Sequence, residues 1–587
     1  PEKAAESPAD YIKINIGEYS ELLGLSYSEI AADSRSQHKS QGFGSARSRG
    51  NKLEFLKHTA GAPAQDDDLF HEIETSWDRV KGSEKVQELI DEISSNYNFT
   101  NPANSVKLLV ELHKEIQLMP TNFYRDQKLE DVKAIIKAAA GIKAEALADE
   151  YNYVSADSIT GSFMIVQRSN IPMTLKNVTP ILDSTFYNLA LESNDQKSFT
   201  FKFETLTGNS HPYWLPYESY AKKLSFNALL LRGQAEANSI KTFKYTVTLF
   251  GEDIEFKEAI DYKWTDRVKG ELHRSVTISP IITVTPAKKV YLFSSNEPQN
   301  ISFLAEGNLV GAIGTVTLQT PKGWTVEPYS IDLKFNFVGE QKALSFTLTP
   351  PENPSTGDIE FRVDGVNGKA IQRIDYDHVL PQVMFPQAVV KVVKMDLTAT
   401  VKNIGYVKGS GDEVAQNLGG VGFNVVSFDA KDLAVMDLSI FETIMVGIRA
   451  YNTEPSMKNG NTILNEYVKN GGNVIVQYNT SRGIDKGAIG PYPFQLSRNR
   501  VTKEEAKPTF LAPKHPLLNT PNKLTEEDFD NWVQERGLYF ADEWDEKYTP
   551  IIAWNDPGED PQKGSILVTD YGNGHFIFTG ISFFRQL

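Results

Sequence analysis

Residues Asn403–Asp429 read NIGYVKGSGDEVAQNLGGVGFNVVSFD, and this stretch decides the fold class of the C-terminal third. A short apolar run ends at Val407, a Gly/Ser loop follows, helix-compatible residues come next, and a second β-branched run begins at Asn424. The same order continues downstream. FETIMVGI (441–448) is a buried strand, ILNEYVKNGG (463–472) a helix closed by Gly, and NVIVQYNT (473–480) another buried strand. Strands alternating with helices imply a parallel, doubly wound α/β sheet.

Upstream the period changes. SFMIVQRS (162–169), SFTFKFETL (198–206), FKYTVTLF (243–250) and SVTISPIITVTP (275–286) alternate with period two between Asn, Gly and Pro turns. KKVYLFSS (288–295), QNISFLAE (299–306), GTVTLQTP (314–321), KALSFTLTPP (342–351) and DIEFRVDG (358–365) form a second such series. Two immunoglobulin-like β-sandwiches fit, meeting near residue 280. Before them, Leu69, Ile73, Trp77 and Val80 predict one helical face, continued through LEDVKAIIKAAAGIKAEALADE (129–150). The expected layout is multidomain α+β. Residues 1–60 form a mixed segment and 61–150 a helical linker domain. Residues 151–280 and 281–390 are the sandwiches, and 391–587 the α/β domain.

Composition narrows the function. The chain has 587 residues, is 40% hydrophobic and 23% charged, and contains 24 Tyr and 32 Phe. A net charge of −16 without a clustered basic face argues against a nucleic-acid partner. No apolar run reaches the roughly 18–20 residues of a membrane span. The absence of Cys removes disulfides, thiolate metal sites and Cys nucleophiles, and fits an exported protein. PEKAAES at the start lacks a signal-peptide core, and GHFIFTGISFFRQL at the end is apolar; both ends read as cuts.

Candidate sites are sparse. None of the nine His is spaced HxxH or HExxH. Asp66, Asp67, Asp68, His71 and Glu72 cluster in sequence, which suits either a metal or the capping of a following helix. The strand ends of the α/β domain carry KGSGD with Asp412, RAYNT with Arg449 and Asn452, and QYNTSR with Asn479. These residues line a ligand pocket or anchor the loops. HPYWLPYESY (211–220) offers Trp214 as a sugar-stacking platform or as a core ring. In PKGWTVEP, Trp324 reads as core, and GNGHFIFTG places His575 in a hairpin.

The layout of the last domain resembles the class I glutamine amidotransferase-like or ThuA-like fold. The turn matching that family's nucleophile reads Tyr478-Asn479-Thr480, and the Cys is missing. Over nearly the whole chain, YSEIAADSRSQHKSQGFG, HPYWL, DYKWTDRVKGEL, GYVKGSGDEV, VGIRAYNT, PYPFQLSRNRVT, HPLLNTPN, FDNWVQERGLYFADEWD and TGISFFRQL follow in order. Together they resemble the large PIG-L/LmbE-type deacetylases of Bacteroidetes. The resemblance implies an exported zinc hydrolase that removes N-acetyl groups from amino-sugar glycans or glycoconjugates. It also implies a His-Pro-Asp-Asp motif that holds the zinc and supplies the general base. This sequence has His211-Pro212-Tyr213 and His515-Pro516-Leu517 but no such motif, so the zinc belongs to the parent protein and no cofactor is expected here. The chain is then the C-terminal part of such an enzyme, with the cleaved N-terminal catalytic fragment as an expected partner. His38 and Gln41 resemble the family's late-helix His-x-Ser/Thr-Gln and are candidates for substrate contact, or else mark a structural helix end. The alternative is a non-enzymatic carbohydrate-binding or scaffold component of a cell-envelope complex.

Overall fold

The structure is a computed structural model that describes residues 11–61, 68–155, 157–179, 185–204, 208–212, 242–397 and 402–586. It is multidomain and sheet-rich, with three large sheet systems, each around its own apolar core. No helix among the described residues is long and apolar enough to cross a membrane.

Residues 11–61 form a small polar unit. The strand Tyr11–Asn15 pairs antiparallel with Leu53–Lys57. A helix, Tyr27–Ser36, starts at a capping box in which Ser26 and Glu29 satisfy each other's backbone amides.

Three helices follow, Glu84–Asn96, Val106–Leu118 and Phe123–Ala139. The second stops at Met119 because the residue before Pro120 is driven out of the α region, here to ψ 154. The third ends at Gly141, whose φ of +67 lets the chain turn directly into the strand Ile142–Ala148. Two expectations are corrected here. The segment GIKAEALA is strand, not helix: Ile142, Ala144, Ala146 and Ala148 are buried alternately, a period of two that the helix-favouring alanines disguise. Residues 68–83 are turns and a single 3-10 turn at Trp77–Arg79, with Leu69 and Ile73 exposed, so only Trp77 of the expected face is buried.

That strand joins the central sheet, whose order is 197–204, 158–167, 142–148, 252–266, 242–249, 173–179 and 185–190. Residues 270–275 pair with the far half of 252–266. The fifteen-residue strand Glu252–Asp266 is shared between two half-sheets: its first half pairs with Thr242–Leu249 and its second with Gly270–Ser275. The sheet therefore folds over on itself. Phe201, on the edge strand, meets Phe243 with ring centroids 4.7 Å apart although three strands separate them in the sheet order. Phe163 stacks on Phe243 at 5.5 Å. Helices and sheet share one core, so 61–150 and 151–280 pack as one body.

Residues 282–394 form a sandwich of a four-stranded and a six-stranded sheet closed over Phe293, Phe303, Phe346 and Phe361. Trp324 lies in this core, as its sequence context predicts, and donates Nε1–H to Ser355 Oγ at 3.1 Å.

The last domain contains β1 (Asn403–Val407), α1 (Val414–Gly420), β2 (Asn424–Phe428), β3 (Thr443–Val446), α2 (Met457–Lys469) and β4 (Asn473–Val476). After a long excursion come β5 (Thr549–Pro550), β6 (Ile566–Tyr571) and β7 (Gly574–Thr579). The sheet order is β2-β1-β3-β4-β7-β6-β5; the first five strands are parallel, and β6 alone runs against them, paired antiparallel with both β7 and β5. Because the order reverses at β1, right-handed crossovers send α1 to one face and α2 to the other. The predicted alternation is what the structure contains. The excursion, residues 477–548, sends Phe529 and Phe540 into a second small core that Trp554 completes, which residue types alone do not separate.

Two outcomes follow. Phe163→Ala removes a fully buried ring packed on Phe199, Phe243 and Tyr245 and costs about 3–5 kcal/mol in urea unfolding. A loss below about 1 kcal/mol would contradict the folded-over core. His113 is buried in the second helix, and burial, aided by Lys133 and opposed by Glu130 and Glu252, holds its pKa below 6.5. The unfolded chain then binds the extra proton, so this contribution is complete above 6.5 and is lost as pH falls through the folded value. The urea midpoint falls on acidification through this window, and His113→Gln flattens that slope; an unchanged slope refutes the assignment.

Candidate functional site

The carboxyl ends of β1, β3 and β4 meet at the point where the strand order reverses, the usual ligand position in open α/β sheets. Two loops interlock there. Gly409 packs so tightly that a Cβ would lie 2.1 Å from the Ile448 carbonyl oxygen, and Ser410 N–H donates to that oxygen at 2.9 Å. Glycine is required at 409 for this approach.

Asp412 locks the two loops together. Its Oδ1 accepts from Tyr406 Oη at 2.5 Å and from Val414 N–H at 3.0 Å, and its Oδ2 accepts from Ile448 N–H at 3.3 Å. Gln477 Nε2 donates to Tyr406 Oη at 3.0 Å, which ties in β4. Burial, with Asp412 beside it, pushes the Tyr406 phenol far above its ordinary pKa, so it stays a donor and has no role as a base.

β3 leaves the sheet through Gly447-Ile448-Arg449 and enters a one-turn helix, Ala450–Thr453. Arg449 has φ +56, a left-handed conformation that costs a non-glycine residue about 1–2 kcal/mol. This strained strand-to-helix elbow is the geometry that presents nucleophiles in hydrolases. The turn Tyr478-Asn479-Thr480, expected to match the nucleophile turn of the resembled family, enters a loop rather than a helix. The elbow at 449 carries an exposed arginine, whose guanidinium offers only hydrogen-bond donors.

The other expected residues brace the same edge. Asn479 is fully buried; its Oδ1 accepts from Tyr451 N–H at 3.1 Å and its Nδ2 donates to the Gln477 carbonyl at 2.9 Å. Asn452 donates to the Thr480 and Arg482 carbonyls, both at 3.1 Å, and accepts from Thr480 N–H at 2.9 Å. Asp412, Arg449, Asn452 and Asn479 are thus brought together. Three of them spend their polar atoms on the loops, and Arg449 projects outward. A hollow of about 460 Å³ lies beside them, lined by Tyr406, Lys408, Asp412, Gln416 and Ser427. Sequence reasoning missed an aromatic group at this edge. Tyr478 stacks on Phe584 at 5.7 Å and meets Tyr539, itself left-handed at φ +53, at 5.8 Å. Backbone strain at a tyrosine leaves no mark in composition or periodicity.

The remaining candidates lie elsewhere. His38 precedes the 3-10 turn Lys39–Gln41 without capping it, and its ring centroid is 6.3 Å from that of Phe43. His38 and Gln41 are both exposed, and no side-chain hydrogen bond joins them to the described residues. Trp214 lies outside the described residues, as do Asp66 and Asp67. Asp68 Oδ1 accepts from Phe70 N–H at 2.9 Å and shapes a turn. His575 sits in the expected hairpin, with Nδ1 2.7 Å from Asp570 Oδ1 on the surface.

Among the described residues, Glu145, Glu271 and His273 bring ligand atoms within 4.8 Å of one another. Lys263 Nζ occupies the gap, 2.9 Å from Glu145 and 3.5 Å from Glu271, and Lys143 adds a second ammonium on Glu145 at 2.9 Å. Burial opposes ionisation of Glu145, yet the two lysines hold its pKa below the ordinary value. The carboxylates already have their cations, and the cluster does not fit a zinc ion.

No family model matches this chain, and no curated protein does. Among solved structures, a protein of unknown function from Porphyromonas gingivalis W83 is similar at 10% identity and TM-score 0.12, over 43% of this chain and 99% of that one. Red sea bream transglutaminase is similar at 8% identity and TM-score 0.19, over 47% and 34%. Trypsin-activated alpha-2-macroglobulin from Escherichia coli is similar at 7% and 0.15, over 46% and 20%.

The lock and the elbow make opposite predictions for stability. Tyr406→Phe leaves Asp412 and Gln477 short of a partner and costs about 1–3 kcal/mol in urea unfolding. Arg449→Gly relieves the left-handed strain while adding unfolded-state entropy, so the midpoint stays within about 0.5 kcal/mol of the parent. A large loss at Arg449→Gly would mean that the arginine side chain holds the fold.

Proposed function

We propose that this chain is the C-terminal part of an exported PIG-L-type deacetylase that hydrolyses N-acetyl groups of amino-sugar glycans. In this reading its catalytic zinc is carried by a partner polypeptide or segment bearing His-Pro-Asp-Asp. The immunoglobulin-like sandwiches and the amidotransferase-like domain, without its nucleophile, then act as accessory modules.

One observation carries the reading. Among residues 11–61 the only buried hydrophobic side chain is Ala32, while Tyr19, Leu22, Leu23, Tyr27, Phe43, Leu53 and Leu56 are exposed, Leu22 to 94%. The unit is held by polar contacts instead. Arg47 forks onto Asp33 at 2.8 and 2.7 Å, Arg49 pairs with Glu29 at 2.8 Å, and the capping box closes the helix start. Surface ion pairs of this kind contribute little, so a unit so poor in buried apolar area gains stability from something that covers it. The resemblance carried by SRSQHKSQGFG makes that cover the deacetylase domain, with His38 and Gln41 at its closing edge. Zinc chemistry would belong to that domain, and the residues of this chain would support and position it. A second reading, a non-enzymatic scaffold component, is favoured by the loop-bracing roles of Asp412, Asn452 and Asn479.

Adding a polypeptide that carries the His-Pro-Asp-Asp domain yields a stable complex that binds zinc and releases acetate from chitooligosaccharides. Leu22→Asp with Leu23→Asp weakens that association at least about tenfold, because two apolar contacts are lost at exposed positions. No complex, or one indifferent to both substitutions, would favour the scaffold reading.

A further inference from the structure

The excursion between β4 and β5 holds a hollow of about 520 Å³, within the usual size range of small-ligand sites. Glu505, Lys507, Phe529, Asp530, Trp532 and Arg536 are among the residues that line it. Arg536 is only 4% exposed, yet among the described residues no carboxylate pairs with it. Its Nη1 donates to the Phe529 carbonyl at 2.5 Å, and its Nε is buried with no acceptor among the described residues. The guanidinium lies against two indoles, 5.8 Å from the Trp532 ring and 5.4 Å from that of Trp554. Burial pushes its pKa down, while Asp530, Glu505 and Glu504 oppose that shift from a distance. A buried arginine with so few acceptors is costly unless a ligand supplies more.

The walls narrow what that ligand is. Trp532, half-buried at the rim and backed by the core ring of Phe529 at 5.0 Å, gives an aromatic side that suits the C–H face of a ring. Donors and acceptors alternate around it: Arg536 and Lys507 donate, whereas Glu505 and Asp530 accept. A small anion drawn to Arg536 meets the carboxylates of Glu504, Glu505 and Asp530. A cation meets Arg536. A neutral ring bearing hydroxyls, each both donor and acceptor, satisfies both kinds of wall without bringing a charge. We propose that this hollow is a binding site for a neutral pyranose, with Arg536 donating to adjacent hydroxyls, Glu505 and Asp530 accepting, and Trp532 stacking on the ring. The hollow shares no lining residue with the one at the β1/β3/β4 edge, and the proposal does not rest on the deacetylase reading.

The test is calorimetric titration of the whole chain with methyl glucoside, methyl galactoside and N-acetylglucosamine, and separately with glucuronate and inorganic phosphate. At least one neutral sugar binds with a Kd of about 1 mM. Glu505→Gln with Asp530→Asn, two exposed rim positions, weakens it at least about tenfold while the thermal midpoint is unchanged, because the lost acceptors served the ligand. Trp532→Phe, which keeps the core filled, weakens it less. Failure of all three sugars, binding unaltered in the double variant, or binding of phosphate or glucuronate alone would each overturn the proposal. The last of these would make the hollow an anion site.

Discussion

Apolar surface must be covered, and each large sheet in this chain meets that demand differently. The first folds over on itself along Glu252–Asp266 and takes three helices onto the same core. The second pairs two sheets face to face. The third places crossover elements on both sides of a parallel sheet. The unit at residues 11–61 meets it in none of these ways, and hydrogen bonds and ion pairs join its strands and helix with Ala32 as its one buried hydrophobic side chain. The partner proposed for the chain follows from that contrast.

The α/β domain spends its polar residues on rigidity. Tyr406, Asp412 and Gln477 join β1, β3 and β4 through one continuous network, and Asn452 and Asn479 fasten the loops beyond. The product is a fixed frame that holds Arg449 in a strained, outward-facing elbow. The frame presents the Arg449 guanidinium at the strand-to-helix elbow.

Much of this was legible in the sequence, and the failures have physical causes. Alternation of β-branched runs with Gly-closed helices predicted the parallel sheet, because strands buried on both faces read as continuous apolar runs. Period-two runs predicted the strands of 158–394, yet nothing in them showed that Glu252–Asp266 serves two half-sheets. Alanine at 144, 146 and 148 disguised a strand as helix, since burial against a packed core overrides propensity. At the candidate site Asp412, Arg449, Asn452 and Asn479 were found by their place after strands. Which turn is the elbow depends on a backbone angle at Arg449 that residue types do not encode. Arg536 went unnoticed because one arginine among acids looks like ordinary surface until its burial is known.

The central claim is that residues 11–61 are completed by another polypeptide surface. Amide hydrogen exchange of the chain alone, and again with the His-Pro-Asp-Asp domain added, tests it most directly. The account predicts rapid exchange along Tyr11–Asn15, Tyr27–Ser36 and Leu53–Lys57 in the isolated chain, and strong protection of the same amides in the mixture. Amides there as slow in the isolated chain as those of the sandwich core, or unchanged by the added domain, would contradict it.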